Sequence, residues 1–207
     1  MRWMTLSCAF LLLLTACERA QNPKPPAPQP QQAAQDAIGV LQKLVNAENY
    51  KSLGFDSVDE VKQAQLGQPM EIFNIPLDKL KSYQSGSDPN SLLSQSSETM
   101  YPVTVGGQAK SSVTIMKKEN GYTASSFGNA PIARGLSRNQ STGQGDFVVR
   151  VPALNFYFVG RRVENFLVLV PIVDDPRLGV KAGEAVPAER LLPQMVIVAN
   201  EYNGLPM

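Results

Sequence analysis

Side chains able to do chemistry are sparse in this 207-residue chain, and one type is missing altogether: there is no histidine. Its absence removes Ser-His-Asp and Cys-His catalysis and every imidazole-built zinc site. The sequence also lacks Ser-x-x-Lys, Gly-x-Ser-x-Gly and a phosphate-cradling glycine loop ending in Lys-Ser/Thr. What remains to an enzyme is carboxylate, lysine, tyrosine or hydroxyl chemistry. The densest cluster of such groups is Asp174-Asp175-Pro176-Arg177, followed by Gly179 and Gly183. Adjacent carboxylates on an extended chain point to opposite sides, and the spacing does not match a calcium loop. A turn in which Arg177 pairs with one aspartate is therefore favoured over a catalytic dyad. Arg161-Arg162 is the second candidate, because guanidinium forks fit anions. At a hairpin end, solvated charges that guard an edge are the commoner use. Arg161, Arg162, Asp174, Asp175 and Arg177 are thus candidate ligand or partner contacts, with no catalytic residue, metal site or cofactor expected.

Cys17 carries a different chemistry. Ahead of it lie a positive charge at Arg2, an apolar run from Leu6 to Leu14 broken only by Ser7, and the small residues Thr15 and Ala16. This is the tripartite plan of an export signal, too short to span a bilayer, which takes roughly 20 apolar residues. Leu14-Thr15-Ala16-Cys17 resembles the lipobox of bacterial lipoproteins. The resemblance covers the first 17 residues and implies cleavage between Ala16 and Cys17, with a diacylglycerol on the Cys17 sulfur. Each buried CH₂ contributes roughly 0.8 kcal/mol, so two or three acyl chains make a lasting anchor. The resemblance therefore implies a protein of the bacterial cell envelope whose membrane partner is reached through Cys17. Glu18 is not the aspartate that retains enteric lipoproteins at the inner membrane, which favours the outer membrane, facing the periplasm.

Cleavage would remove Arg2 and bring the formal net charge from +1 to zero. Without a block of like charge, nucleic acid is not expected as a partner. Cys8 would leave with the signal and Cys17 would be alkylated, so no internal disulfide is expected and core burial must hold the chain together.

The elements that position these groups can be read from spacing. Residues 17–32 comprise the lipidated Cys17 and a Pro/Gln-rich linker, a polyproline tether at roughly 3.1 Å per residue. Residues 33–207 read as a single domain. Ile38, Leu41, Leu44 and Val45 predict an amphipathic helix over 33–47, and Ser57-Val58-Asp59-Glu60 is a capping box that should open a second helix ending at Gly67. A strand at Met70 to Ile75, a short helix opened by Pro76 and a helical turn after Asp88-Pro89 follow. Met100–Val105, Ala109–Lys117 and Tyr122–Phe127, joined at Gly106-Gly107 and Asn120-Gly121, predict a meander. After a short helix at Pro131 to Ser137, Phe147–Val159 and Phe166–Val173 read as two long antiparallel strands joined through Arg161–Asn165, with Pro152 and Pro171 marking bulges, ends or edges. Residues 186–203 read as a helix restarted at Pro193. The sum is an α+β fold: a mostly antiparallel β-sheet, made of a meander plus a long C-terminal hairpin, with N- and C-terminal helices. A division into two sub-sheets, around 70–127 and 146–173, is compatible with the pattern. The aromatic stripe Phe147, Phe156, Tyr157, Phe158 and Phe166 suits core packing and, alternatively, the wall of an apolar cavity.

Three classes of function fit. A binding or assembly module with an envelope protein partner comes first, a carrier of an apolar ligand or lipid second, and a carboxylate-based hydrolase third. A concave apolar pocket with convergent polar groups is the feature that discriminates among them.

Overall fold

The computed structural model describes residues 29–139 and 145–204. Helix α1, Pro30–Leu44, begins three residues before the expected start. Pro30 suits a first turn because its missing N–H would be unpaired there anyway. The helix buries Ala33, Ala34, Ala37, Ile38 and Leu41. Small alanines on that face let its backbone lie close to the sheet.

The capping box forms only in part. Ser57 Oγ accepts the Glu60 N–H at 3.2 Å, but Glu60 reaches back to the Asp56 N–H. Its other oxygen is held 3.0 Å from Lys110 Nζ. With Glu60 drawn away, only a 3₁₀ segment, Asp59–Gln63, follows instead of the expected helix.

Strands β1 (Gln65–Leu66), β2 (Met70–Asn74), β3 (Ser94–Val105), β4 (Gln108–Lys118) and β5 (Gly121–Phe127) form the N-terminal part of the sheet, with α2 (Leu77–Lys81) between β2 and β3. Helix α3 (Ala130–Asn139) then precedes β6 (Phe147–Val151), β7 (Phe156–Val163), β8 (Phe166–Pro171), β9 (Val186–Pro187) and α4 (Ala188–Glu201). The nine strands described make one open, mostly antiparallel sheet in the order β5-β4-β3-β2-β6-β7-β8-β9, with β1 beside β3. Two meanders are joined side by side through one parallel contact, where Ile72, Phe73 and Asn74 of β2 face Val148, Val149 and Arg150 of β6. The fold is α+β, and the two candidate sub-sheets are one sheet. Ile72, Val148 and Val149 are fully buried, as the middle of a sheet covered on both faces requires.

Two further expectations need correction. Phe147–Val159 is itself a hairpin: β6 ends at Pro152, which opens a 3₁₀ turn to Leu154, and Asn155 turns the chain back in the left-handed conformation, φ 55°. Proline cannot continue the ladder, and asparagine tolerates left-handed backbone better than most residues. Helix α4 does not restart at Pro193 but runs through it. An internal proline costs about 3 kcal/mol. Six buried side chains of this helix, Leu191, Leu192, Met195 and Val198 among them, offset it at roughly 1.5–3 kcal/mol for each large one.

Strand register sets which helix covers which face. Tyr101, Val103, Val113 and Ile115 meet α1, while Phe147, Val149, Phe158, Leu167 and Leu169 meet α4, and both groups point to the same side of the sheet. Met70, Ile72, Met100, Val148, Val159 and Val170 point to the other side, where Leu136 of α3 packs on them. One ten-residue helix therefore crosses the middle of a broad sheet face and leaves ground open on either flank. The aromatic stripe is split by the same alternation. Phe147, Phe156 and Phe158 are buried on the α4 side, Tyr157 is half-buried on the α3 side, and Phe166 is exposed at the β7–β8 turn.

Candidate functional site

The Asp-Asp-Pro-Arg segment folds into a closed turn, with Asp175 N–H donating to Val180 O at 3.1 Å. Asp175 is buried and accepts from the Arg177 backbone N–H at 2.9 Å, from Nε at 3.0 Å and from a terminal guanidinium nitrogen at 2.6 Å. The Arg177 guanidinium in turn lies 4.5 Å from the centre of the Phe156 ring. Hydrogen bonding from Arg177 holds the Asp175 carboxyl below the ordinary range, against the opposing effect of burial. It also pushes Arg177 up. Asp174 accepts the Ala182 N–H at 2.8 Å and closes the far side of the loop. Both aspartates thus work on their own backbone, and a carboxylate held ionised by a bidentate arginine is a poor general acid.

Asp175→Asn should therefore lower stability at neutral pH by about 1–2 kcal/mol, through the lost charge-assisted bonds. A depressed carboxyl contributes stability that is complete above its unfolded value of roughly 4 and is lost as pH falls through its folded value. The difference in Tm between wild type and variant should consequently shrink below about pH 4. A difference that stays constant from pH 7 to pH 3 would show that the carboxylate is not the stabilising group.

Arg161 and Arg162 point to opposite faces of β7 and do not form a joint fork. Arg161 binds Asp146 through Nε at 3.0 Å and also donates to the Asn139 carbonyl. Arg162 lays its guanidinium 4.7 Å from the Phe147 ring centre and 5.3 Å from that of Phe73. Ala16 and Cys17 lie outside the described residues. Among those residues, no three Asp, Glu, Cys or His side chains converge as a metal site.

Of these clusters only Asp175 reaches the cleft that opens beside α3. The cleft occupies about 290 Å³ on one flank of α3, where Asn129, Pro131 and Ile132 at the start of the helix face Tyr157, Ile172 and Val173 across the ends of β7 and β8. Asn155 and Asp175 complete its polar rim. Asn129 and Asn155 both have left-handed backbone, φ 59° and 55°. Their side-chain amides and the Tyr157 hydroxyl have no hydrogen-bond partner among the described residues. Comparison of the chain with family models, with curated proteins and with solved structures finds no match. The chemistry of this cleft has to carry the functional reading.

Next to Tyr157 on the same sheet face stands Arg150, its cross-strand partner. Arg150 donates to Asn74 at 2.6 Å and to Glu98 at 2.5 Å, and Glu98 also accepts from Ser125 Oγ at 3.0 Å. This polar row runs from β5 to β7 across the parallel junction. The sequence reading reached Phe156, Tyr157 and Phe158, as part of a possible cavity wall, and Asp175, but missed Asn129, Asn155 and the α3 side of the cleft. The available signal was the pair of asparagines that follow a buried residue at an element boundary, Gly128-Asn129 and Leu154-Asn155, where left-handed turns are common.

Proposed function

We propose that the chain is a bacterial envelope lipoprotein, tethered through Cys17, whose folded body is a binding module that uses the cleft beside α3 for recognition. The observation that carries the binding part is the combination of apolar walls, Ile132, Ile172 and Val173, with three polar side chains that no protein group satisfies. Such a site holds an apolar group by desolvation and orients it with a few hydrogen bonds. Its volume is at the lower end of ligand pockets, roughly 300–1,000 Å³. That size fits one inserted side chain of an envelope partner, or a small ligand, better than a lipid acyl chain. The hydrolase reading falls behind because Asp174 and Asp175 are committed to their loop.

A matched pair of photo-cross-linkers tests the assignment in living cells. Val173 lines the cleft and is 54% exposed; Ile197, on α4, is 52% exposed and far from it in the fold. The Val173 position should give discrete adducts that the Ile197 position does not, and the chain should take up labelled fatty acid that Cys17→Ser abolishes. Equal adducts from both positions would remove the cleft from the reading. Label retained without the thiol would remove the anchor.

A further inference from the structure

The other flank of α3 has the opposite chemistry. Arg134, Ser137 and Arg138 fall at i, i+3 and i+4 on one helix face and look across a cleft of about 390 Å³ toward Gly107, Gln108 and Ala109 at the β3–β4 turn. Neither arginine makes a hydrogen bond or ion pair among the described residues. The nearby cation Lys110 is already neutralised, 2.5 Å from Asp56 and 3.0 Å from Glu60. Arg134 acts on Asp56 only through space. Two permanent charges with no carboxylate directly bonded to them thus face the same concavity, and a concave basic surface concentrates anions. The opposite wall is open backbone: a Cβ placed on Gly106 or Gly107 would meet nothing within 4 Å. A phosphate group, a few times the roughly 30 Å³ of a water molecule, has room to approach between the turn and both guanidinium forks.

We infer that this flank is a phosphate-group site, with Arg134 and Arg138 as the paired forks and Ser137 as a hydroxyl donor. The inference is independent of the cleft assigned to recognition, which uses other residues on the opposite flank of α3. The same chemistry would serve inorganic phosphate, a phosphomonoester or the phosphodiester of an anionic lipid headgroup.

The test uses the full chain in two arms. In the first, inorganic phosphate is titrated while backbone amide resonances are followed; Gly106, Gly107 and the Arg134–Arg138 segment should shift together and saturably. Arg134→Gln/Arg138→Gln should weaken binding by about tenfold or more per arginine, the range of one charge-assisted pair. Lys117→Gln/Lys118→Gln removes the same charge at the distant β4–β5 turn and should change affinity less than about twofold. In the second arm, binding to phosphatidylglycerol vesicles is compared with binding to phosphatidylcholine vesicles. An excess on phosphatidylglycerol that disappears in the arginine variant identifies a headgroup site. Phosphate binding without that excess identifies a soluble phosphate ligand. Absence of saturable binding in both arms, or equal losses in the arginine and lysine variants, overturns the proposal.

Discussion

Gly54→Ala should leave the N-terminal half of the sheet without its cover. Gly54 sits at φ +98°, a region that L side chains rarely adopt, and an added Cβ would stand 1.9 Å from the Lys110 carbonyl oxygen and 2.5 Å from the Ala130 Cβ. Neither neighbour is the free end of a side chain. One is the backbone of β4 and the other the first residue of α3, so both must move. The next residue is Phe55, which is 2% exposed and packs with α1 on the sheet. A shift of the Gly54 backbone therefore lifts a large core side chain as well. The expected cost is about 4 kcal/mol or more, in the range reserved for steric and core failures. Gly106→Ala is the comparison: it also has positive φ, +57°, but open space around it, and should cost only about 1 kcal/mol. Urea unfolding of both variants measures the difference. Equal losses would mean that backbone conformation, and not the contact with Lys110, decides the effect.

Removing Arg150 should have the next largest effect on stability. It joins both meanders at their parallel junction, bonded to Asn74 of β2 and Glu98 of β3 from its own place on β6. The Arg150 and Glu98 side chains are only 22% and 16% exposed. Arg150→Met leaves the Glu98 carboxylate in a half-buried position with Ser125 as its remaining partner. Breaking a fully buried pair costs about 3–5 kcal/mol, and partial exposure brings the expectation down to about 2–3 kcal/mol. Glu98→Gln combined with Arg150→Met should regain part of that loss, because an amide tolerates the site without a cation. A double-mutant cycle by urea unfolding gives the coupling directly. A single-variant loss below about 0.5 kcal/mol would show that the strand pairing alone holds the halves together.

Much of the fold was legible because its signals are local. The i, i+3, i+4 apolar pattern of Ile38 and Leu41 requires only that a helix have a buried face, and Gly106-Gly107 and Asn120-Gly121 require only positive φ at a two-residue turn. The first meander turn lies at Gly106-Gly107, both with positive φ; the second falls one residue earlier than read, at Glu119-Asn120, with Gly121 opening β5 at positive φ. Reading failed where two local signals competed. Phe147–Val159 has uniform hydrophobicity, and a run buried on both faces hides a reversal unless the Pro152 and Asn155 signals are weighed above it. In α4 the proline signal is outweighed by a helix face whose burial depends on a partner far away in sequence.

What the sequence determined by itself is most of the helices and longer strands, the α+β class and a narrowed chemistry. The missing histidine restricts what any site can do, and the resemblance of Leu14–Cys17 to a lipobox is a property of sequence alone. What only the tertiary structure decided is which side chains meet. The parallel contact of β2 with β6 brings Asn74 and Arg150 within 2.6 Å across 76 positions of chain. Placing α3 crosswise over that junction then creates two flanks, one apolar and rimmed by solvent-exposed amides and one doubly basic. The apolar flank has no local signature, because its residues come from elements far apart in the chain; the basic flank has one in the i, i+3, i+4 spacing of Arg134, Ser137 and Arg138, but not in the β3–β4 turn that faces them. Periodicity reports whether a residue faces the core; it carries no information about which other element ends beside it. That pairing is fixed by the long-range register of the sheet, whose local sequence requirement is satisfied by many apolar residues alike.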